Sequence, residues 1–159
     1  MATGNFKVKA DSAAVTRAMD RLRASYDNLR PTLTNAATEL TRRIWYRFAF
    51  KRDPDGKTWA PWAASTIKRY AKDPRHKLML FSRDLRANTK FVAGSRDIRA
   101  VMGMPYGLYH EQPYGATNGR LPRRAFMFST RNGGRALALS DEEYLLNALR
   151  YQIRKAADQ

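Results

Sequence analysis

Three groups of residues in this sequence carry side chains able to do chemistry. His110-Glu111 sets an imidazole beside a carboxylate, the pair a nuclease uses as base and acid. The other reading is a histidine packed among Tyr106, Tyr109 and Tyr114 and bonded to a backbone carbonyl. Asp53 and Asp55 bracket Pro54 and precede Gly56. Two carboxylates suit a hard cation, but such a site needs convergent oxygens. The embedded Pro and Gly favour a plain turn, with Pro54 presetting φ, Gly56 accepting positive φ and the aspartates bonding nearby N–H groups. Arg120-Leu121-Pro122-Arg123-Arg124 is a basic tip stiffened by proline. Its guanidiniums suit DNA phosphates or acidic groups on a neighbouring subunit, with Arg120, Arg123 and Arg124 as the contact residues; a solvated loop is the alternative.

Other chemistry finds little footing. The chain has no cysteine, which removes thiol catalysis, disulfides and thiolate metal sites. It has two histidines, His76 and His110, and no His-x-x-x-His spacing for zinc. No Gly-rich phosphate loop and no Gly-x-Ser-x-Gly elbow occurs. The expectation is a protein that is not an enzyme and takes no cofactor.

The 159 residues suffice for one domain with a real core, 1–159. Thirty Lys and Arg against 14 Asp and Glu give a net charge of +16. That excess attracts polyanions without specifying a fold. It is spread along the chain with its maximum in residues 51–100, and no basic run marks a disordered arm. With no recognition-helix pattern, zinc finger or stacking platform, any DNA contact is expected to be independent of sequence. Met1–Phe6 lacks a basic region running into an apolar one, so no signal peptide is expected, and no apolar run is long enough for a bilayer. The expectation is a protein of the cytoplasm with no membrane partner.

The elements that must position these groups follow from periodicity. Phe6–Lys9 alternates as a short strand. Val15, Met19, Leu22, Tyr26 and Leu29 form one helical stripe, and Leu33, Ala37, Leu40, Ile44 and Phe48 a second. Pro31 separates them, which predicts a helical hairpin or one element kinked there. Trp45 and Tyr46 widen the second stripe, as if that helix met two surfaces. Trp59 and Trp62 follow the Asp-Pro-Asp-Gly turn at once, and two indoles there must dock on the core or on another chain. Residues 65–70 predict a short helix, and Ser82 a cap on a helical turn through Arg86. Thr89–Ala93 and Ile98–Gly103 flank a hairpin turn, Pro105–Gln112 is a short helix or turn, and Ala125–Phe128 is strand-like. Ser140 and Glu143 form a capping box opening a terminal helix with Leu145, Leu149, Ile153 and Ala156 on one face. The fold class is α+β: a small antiparallel β-sheet packed with an N-terminal helical pair and a C-terminal helix.

Three segments then occur in a telling order: Phe50-Lys51-Arg52-Asp53-Pro54-Asp55-Gly56-Lys57-Thr58-Trp59 with Ser65-Thr66; Leu80-Phe81-Ser82-Arg83-Asp84-Leu85-Arg86; and Met102-Gly103 through Tyr106-Gly107-Leu108-Tyr109-His110-Glu111, followed by Leu121-Pro122-Arg123-Arg124-Ala125-Phe126-Met127. Together they resemble the phage virion morphogenesis family, the tail-completion proteins of Mu-like and related tailed phages, over most of residues 45–155. Arg83-Asp84 stand where the family pattern has Thr-Gly, Glu111 where it has Gln, and Arg124-Ala125 where it has Arg-Pro. The resemblance implies a structural protein of the phage neck, completing the tail or head–tail junction as a homo-oligomeric, sixfold ring. Its implied partners are other copies of itself, tail-tube and head–tail connector proteins, and double-stranded DNA in the lumen; its implied place is the virion, after assembly in the host cytoplasm. Trp59, Trp62, Tyr106, Tyr109, His110 and Phe126 then become anchors of the fold or of a subunit interface. The alternative is a sequence-independent DNA-binding protein or a small nuclease.

Overall fold

The computed structural model describes residues 12–73, 77–80, 83–112, 121–134 and 136–158. The strand expected at Phe6–Lys9 and the cap expected from Ser82 lie outside them. Seven helical segments and one two-stranded antiparallel sheet are the regular elements of the described chain: α1 (Ser12–Asp27), α2 (Arg30–Phe50), α3 (Ala64–Tyr70), α4 (Asp84–Ala87), β1 (Thr89–Ala93), β2 (Ile98–Met102), α5 (Gly107–Glu111), α6 (Arg131–Gly134, a single turn with Asn132, Gly133 and Gly134 at positive φ) and α7 (Leu139–Ala157). The fold is α+β.

The second apolar stripe becomes the spine of the molecule. Leu33, Ala37, Leu40, Ile44 and Phe48 are all buried along α2. Around them gather Trp59, Leu78, Leu85, Phe91, Phe126 and Met127. Phe48 is the hub. Trp59 meets it edge to face at 5.4 Å between centroids, and Phe126 lies tilted against it at 5.0 Å. These are the separations at which aromatic quadrupoles attract. Trp59 thus docks on the chain's own core.

The hairpin leans on the same helix. Phe91 pairs with Ala100 across the sheet, while its N–H is donated to the Thr41 hydroxyl of α2 at 2.9 Å. The Thr41 hydroxyl donates in turn to Ala37 O. One helix side chain therefore satisfies a buried strand amide. Gly107 marks another close approach, since a Cβ there would lie 2.5 Å from Met102 Sδ and 2.7 Å from Leu85 Cδ1.

The first stripe behaves otherwise. The chain passes from α1 to α2 through Asn28 and Leu29, Leu29 keeps helical angles, and the two helices do not pack along each other. It is not a hairpin. α1 lies on α7, where Gln152 donates to the Ser25 hydroxyl at 3.2 Å and accepts from Thr32. Val15, Met19 and Tyr26 consequently face outward.

Two further expectations are corrected. α7 begins at Leu139 behind extended Ala138, with no side-chain cap, so Ser140 sits inside the helix and the Ser140–Glu143 box does not form. The reason is Asp141, fully buried and held by Arg47 and Arg43 of α2, with Arg43 also donating to Ser140 O. Ala125–Phe128 is not a strand, for the reason given below. Ser129 and Ala136 form a single antiparallel bridge instead.

Truncating the hub should be costly and truncating the outer face should not. Phe48→Ala is expected to lower the unfolding free energy by about 3–5 kcal/mol in urea denaturation. Asn35→Ala, exposed on the same helix, should stay within about 0.5 kcal/mol. Equal losses in the two variants would contradict this arrangement of the core.

Candidate functional site

Residues 121–130 cross the interior at 124–127 without belonging to a sheet. Ala125, Phe126 and Met127 are fully buried. Their backbone polar groups need partners there, because an unmet buried amide forfeits a hydrogen bond. The partners are side chains. Glu111 Oε1 accepts from Phe126 N at 2.8 Å and Met127 N at 2.7 Å, and Oε2 from Phe128 N at 3.2 Å. Three successive N–H groups thus converge on one carboxylate. In a strand successive N–H groups point to alternate sides, so this convergence excludes a strand.

The carbonyls are met from the opposite direction. Trp59 Nε1 donates to Ala125 O at 2.8 Å, and Arg47 Nη1 donates to Phe126 O at 3.0 Å. Arg123 donates to Glu111 O, Phe128 O and Ser129 O. Arg124 donates through its backbone N–H to His110 O, and through its guanidinium to Ala60 O at 2.8 Å and Pro61 O at 2.9 Å. Arg123 and Arg124, expected at a DNA or partner contact, bind the chain's own carbonyls. Arg120 lies outside the described residues.

The turn at residue 53 joins the same network. Asp53 Oδ1 accepts from Asp55 N and Lys57 N, and Gly56 takes φ +84°, as a plain turn requires. The other carboxylate, Asp55, accepts from Thr130 N at 2.9 Å and from the Thr130 hydroxyl at 3.0 Å. Burial raises the Asp55 pKa, but hydrogen bonds from Ser129 and Thr130 outweigh it and leave the group below its usual value. The two aspartates have separate structural tasks. Among the described residues no group of three or more His, Asp or Glu converges to hold a metal.

His110-Glu111 is no exposed acid–base couple. Burial pushes the Glu111 carboxyl above its ordinary range, against the pull of its three N–H donors and Arg123. Burial also pushes His110 down to about 4, and the Arg124 charge adds to that. The imidazole is therefore neutral near pH 7, and its Nδ1 is buried without a hydrogen-bond partner among the described residues. Burial likewise lowers the Arg124 pKa. The carboxylate is saturated by backbone donors, so it is poorly placed to move a proton on a substrate.

Of the other expected anchors, Phe126 is in the core and Trp62 is half-buried, packed against the core and 5.9 Å from the Tyr70 ring. Tyr106 and Tyr109 are exposed. Sequence reasoning missed Arg47 and Asp141. The signal for Arg47 was available: it occupies the inner face of α2 between Ile44 and Phe48, where an arginine needs a buried partner.

Glu111→Ala leaves two buried N–H groups and one partly buried one without an acceptor, at about 1–3 kcal/mol for each buried orphan. An unfolding free-energy loss of about 3–5 kcal/mol is expected in urea, with Glu111→Gln recovering part of it through its one carbonyl oxygen. A neutral effect of Glu111→Ala would refute the structural role. His110 supplies a pH test. Its folded pKa, about 4, lies below the ordinary 6.5, so the unfolded chain binds more protons between those values. Its stabilising contribution is complete above about pH 6.5 and is lost as pH falls towards 4. Thermal unfolding of His110→Gln should lose less stability than the native protein over that window, and parallel pH profiles would contradict the assignment.

The model of the phage virion morphogenesis family matches residues 10–136. No curated protein and no solved structure gives a significant match to the chain. Among the described residues no helix is long and apolar enough to cross a membrane. The family match spans the α2 core, the Asp53–Gly56 turn, the hairpin and the Glu111-bound segment, and on that ground the chain belongs to the phage virion morphogenesis family, whose role is structural and in virion assembly.

Proposed function

We propose that the protein is a structural component of a tailed-phage neck, which completes the tail or the head–tail junction as a homo-oligomeric, sixfold ring around the DNA path. Its partners are other copies of itself, the tail-tube and head–tail connector proteins, and DNA in the lumen. Its place is the virion.

The outer face of α2 carries this reading. Trp45, Tyr46 and Phe50 are 51%, 48% and 67% exposed, although the opposite face of the helix is the core. Tyr46 stacks on Phe50, and Arg42 covers the Tyr46 ring at 5.0 Å. Beside them opens a groove of about 560 Å³, lined by Phe50, Arg52 and Pro54 among others. Aromatic residues and arginine are what subunit interfaces concentrate. Tyr106, Leu108 and Tyr109 add a second exposed apolar group. The internal use of Glu111, His110, Asp53 and Asp55 supports a non-catalytic protein. The net charge of +16 supports a place beside DNA, and a free-standing, sequence-independent DNA-binding protein remains the competing reading.

Sedimentation velocity of the purified protein and mass analysis of virions test the proposal. The expected outcome is a closed oligomer and a protein present in particles. Trp45→Ala/Phe50→Ala should remain folded by circular dichroism yet shift to monomer. A native protein that is strictly monomeric and absent from particles would overturn the ring.

A further inference from the structure

A second, smaller cleft of about 340 Å³ lies where the C-terminal halves of α1 and α7 meet. Its lining includes Arg21, Ser25 and Asn28 from the first helix and its turn, and Gln152 and Lys155 from the last. We propose that this cleft seats a phosphate group.

The lining is donor-rich. Arg21 and Lys155 are cations, Asn28 brings an amide, and no lining residue is acidic among the described residues. The polar groups between them are already oriented. Gln152 turns its oxygen to Thr32 and its amide nitrogen to Ser25. The Ser25 hydroxyl, having accepted from Gln152, keeps its own proton to donate. The guanidinium supplies paired N–H groups matched to phosphate oxygens, and the ammonium a point charge. At about 30 Å³ per water the cleft has room for roughly ten, so the anion enters with part of its hydration.

The charges of the cleft are open to an anion. Some arginines face carboxylates, Arg42 and Arg43 meeting Glu39, Arg47 meeting Asp141, Arg99 meeting Asp97 and Arg131 meeting Glu142, while others such as Arg17 and Arg23 have no ion-pair partner among the described residues. Asp27, near the end of α1, is engaged by Arg96. Arg21 and Lys155 have no ion-pair partner among the described residues. The carboxyl ends of two helices bring about −0.5 charge each, which two full cations outweigh.

The phosphate comes from a DNA backbone or from free phosphate. The DNA source rests on the neck reading; the site itself does not. Fluorescence anisotropy with a labelled duplex between 50 and 200 mM salt separates the cases, using Arg21→Gln/Lys155→Gln and, as a control of equal charge, Lys68→Gln/Lys72→Gln. The cleft variant is expected to lose about tenfold in affinity at the lower salt against about twofold for the control, with the salt slope reduced by about one phosphate contact. Calorimetric titration of inorganic phosphate into the native protein and the cleft variant distinguishes the source. Phosphate binding that is lost in the cleft variant, with unchanged DNA affinity, assigns the site to free phosphate. A cleft variant that matches the control on DNA and the native protein on phosphate overturns the proposal. Oligomer size, measured on the same samples, shows separately whether the neck reading has failed.

Discussion

The arrangement depends on one constraint: residues 125–127 are buried, Phe128 is partly so, and their backbone must still be hydrogen-bonded. A sheet would meet that need through its neighbours, but this segment lies in none. Glu111 gathers its N–H groups, and Trp59 and Arg47 take its carbonyls. Each provider must then be fixed in turn. Arg47 is held by Asp141 from the last helix, Trp59 by Phe48, and Glu111 by the short helix ending beside the tyrosines. Groups from α2, the Asp53–Gly56 turn, α5 and α7 are locked together because one stretch of backbone has nowhere else to turn.

This explains what was legible in the sequence. The buried face of α2 was readable because one period of about 3.6 fixes which residues share a side, and packing then agreed with it. The Asp-Pro-Asp-Gly turn was readable because its conformation is local: Asp53 needs only its own neighbours. The hairpin at 89–102 was readable from a run of strand formers on each side of a polar turn. The family resemblance was carried by Phe50–Trp59 with Ser65-Thr66, by Leu80–Arg86, and by Met102–Glu111 with Leu121–Met127; of these residues Trp59, Glu111 and 123–127 enter the network.

What escaped depends on contacts between residues far apart. Ala125–Phe128 has the composition of a strand, and no local property shows that its amides end on Glu111. Asp141 has the look of a residue near a helix cap, yet its partner Arg47 lies 94 residues earlier. The stripe of α1 reads as a core stripe and stays outside because α1 leans on α7. Arg123 and Arg124 look like surface charge because arginine is usually exposed. Here the guanidinium, with five donors, serves as a connector for carbonyls that no strand satisfies. A basic composition thus overstates how much of the charge is available outside.

Arg47 also bears on the order of folding. Its guanidinium lies on the face of α2 that forms the core, and its two buried partners come from residues 126 and 141. Until those arrive, the helix carries an unmatched cation in the middle of its apolar face. Closing such distant contacts costs loop entropy before any contact repays it. α2 can therefore form early as a helix, but its core cannot dry until the last third of the chain has returned to it. Packing of the spine and capture of the 121–130 segment are, in consequence, coupled through one side chain.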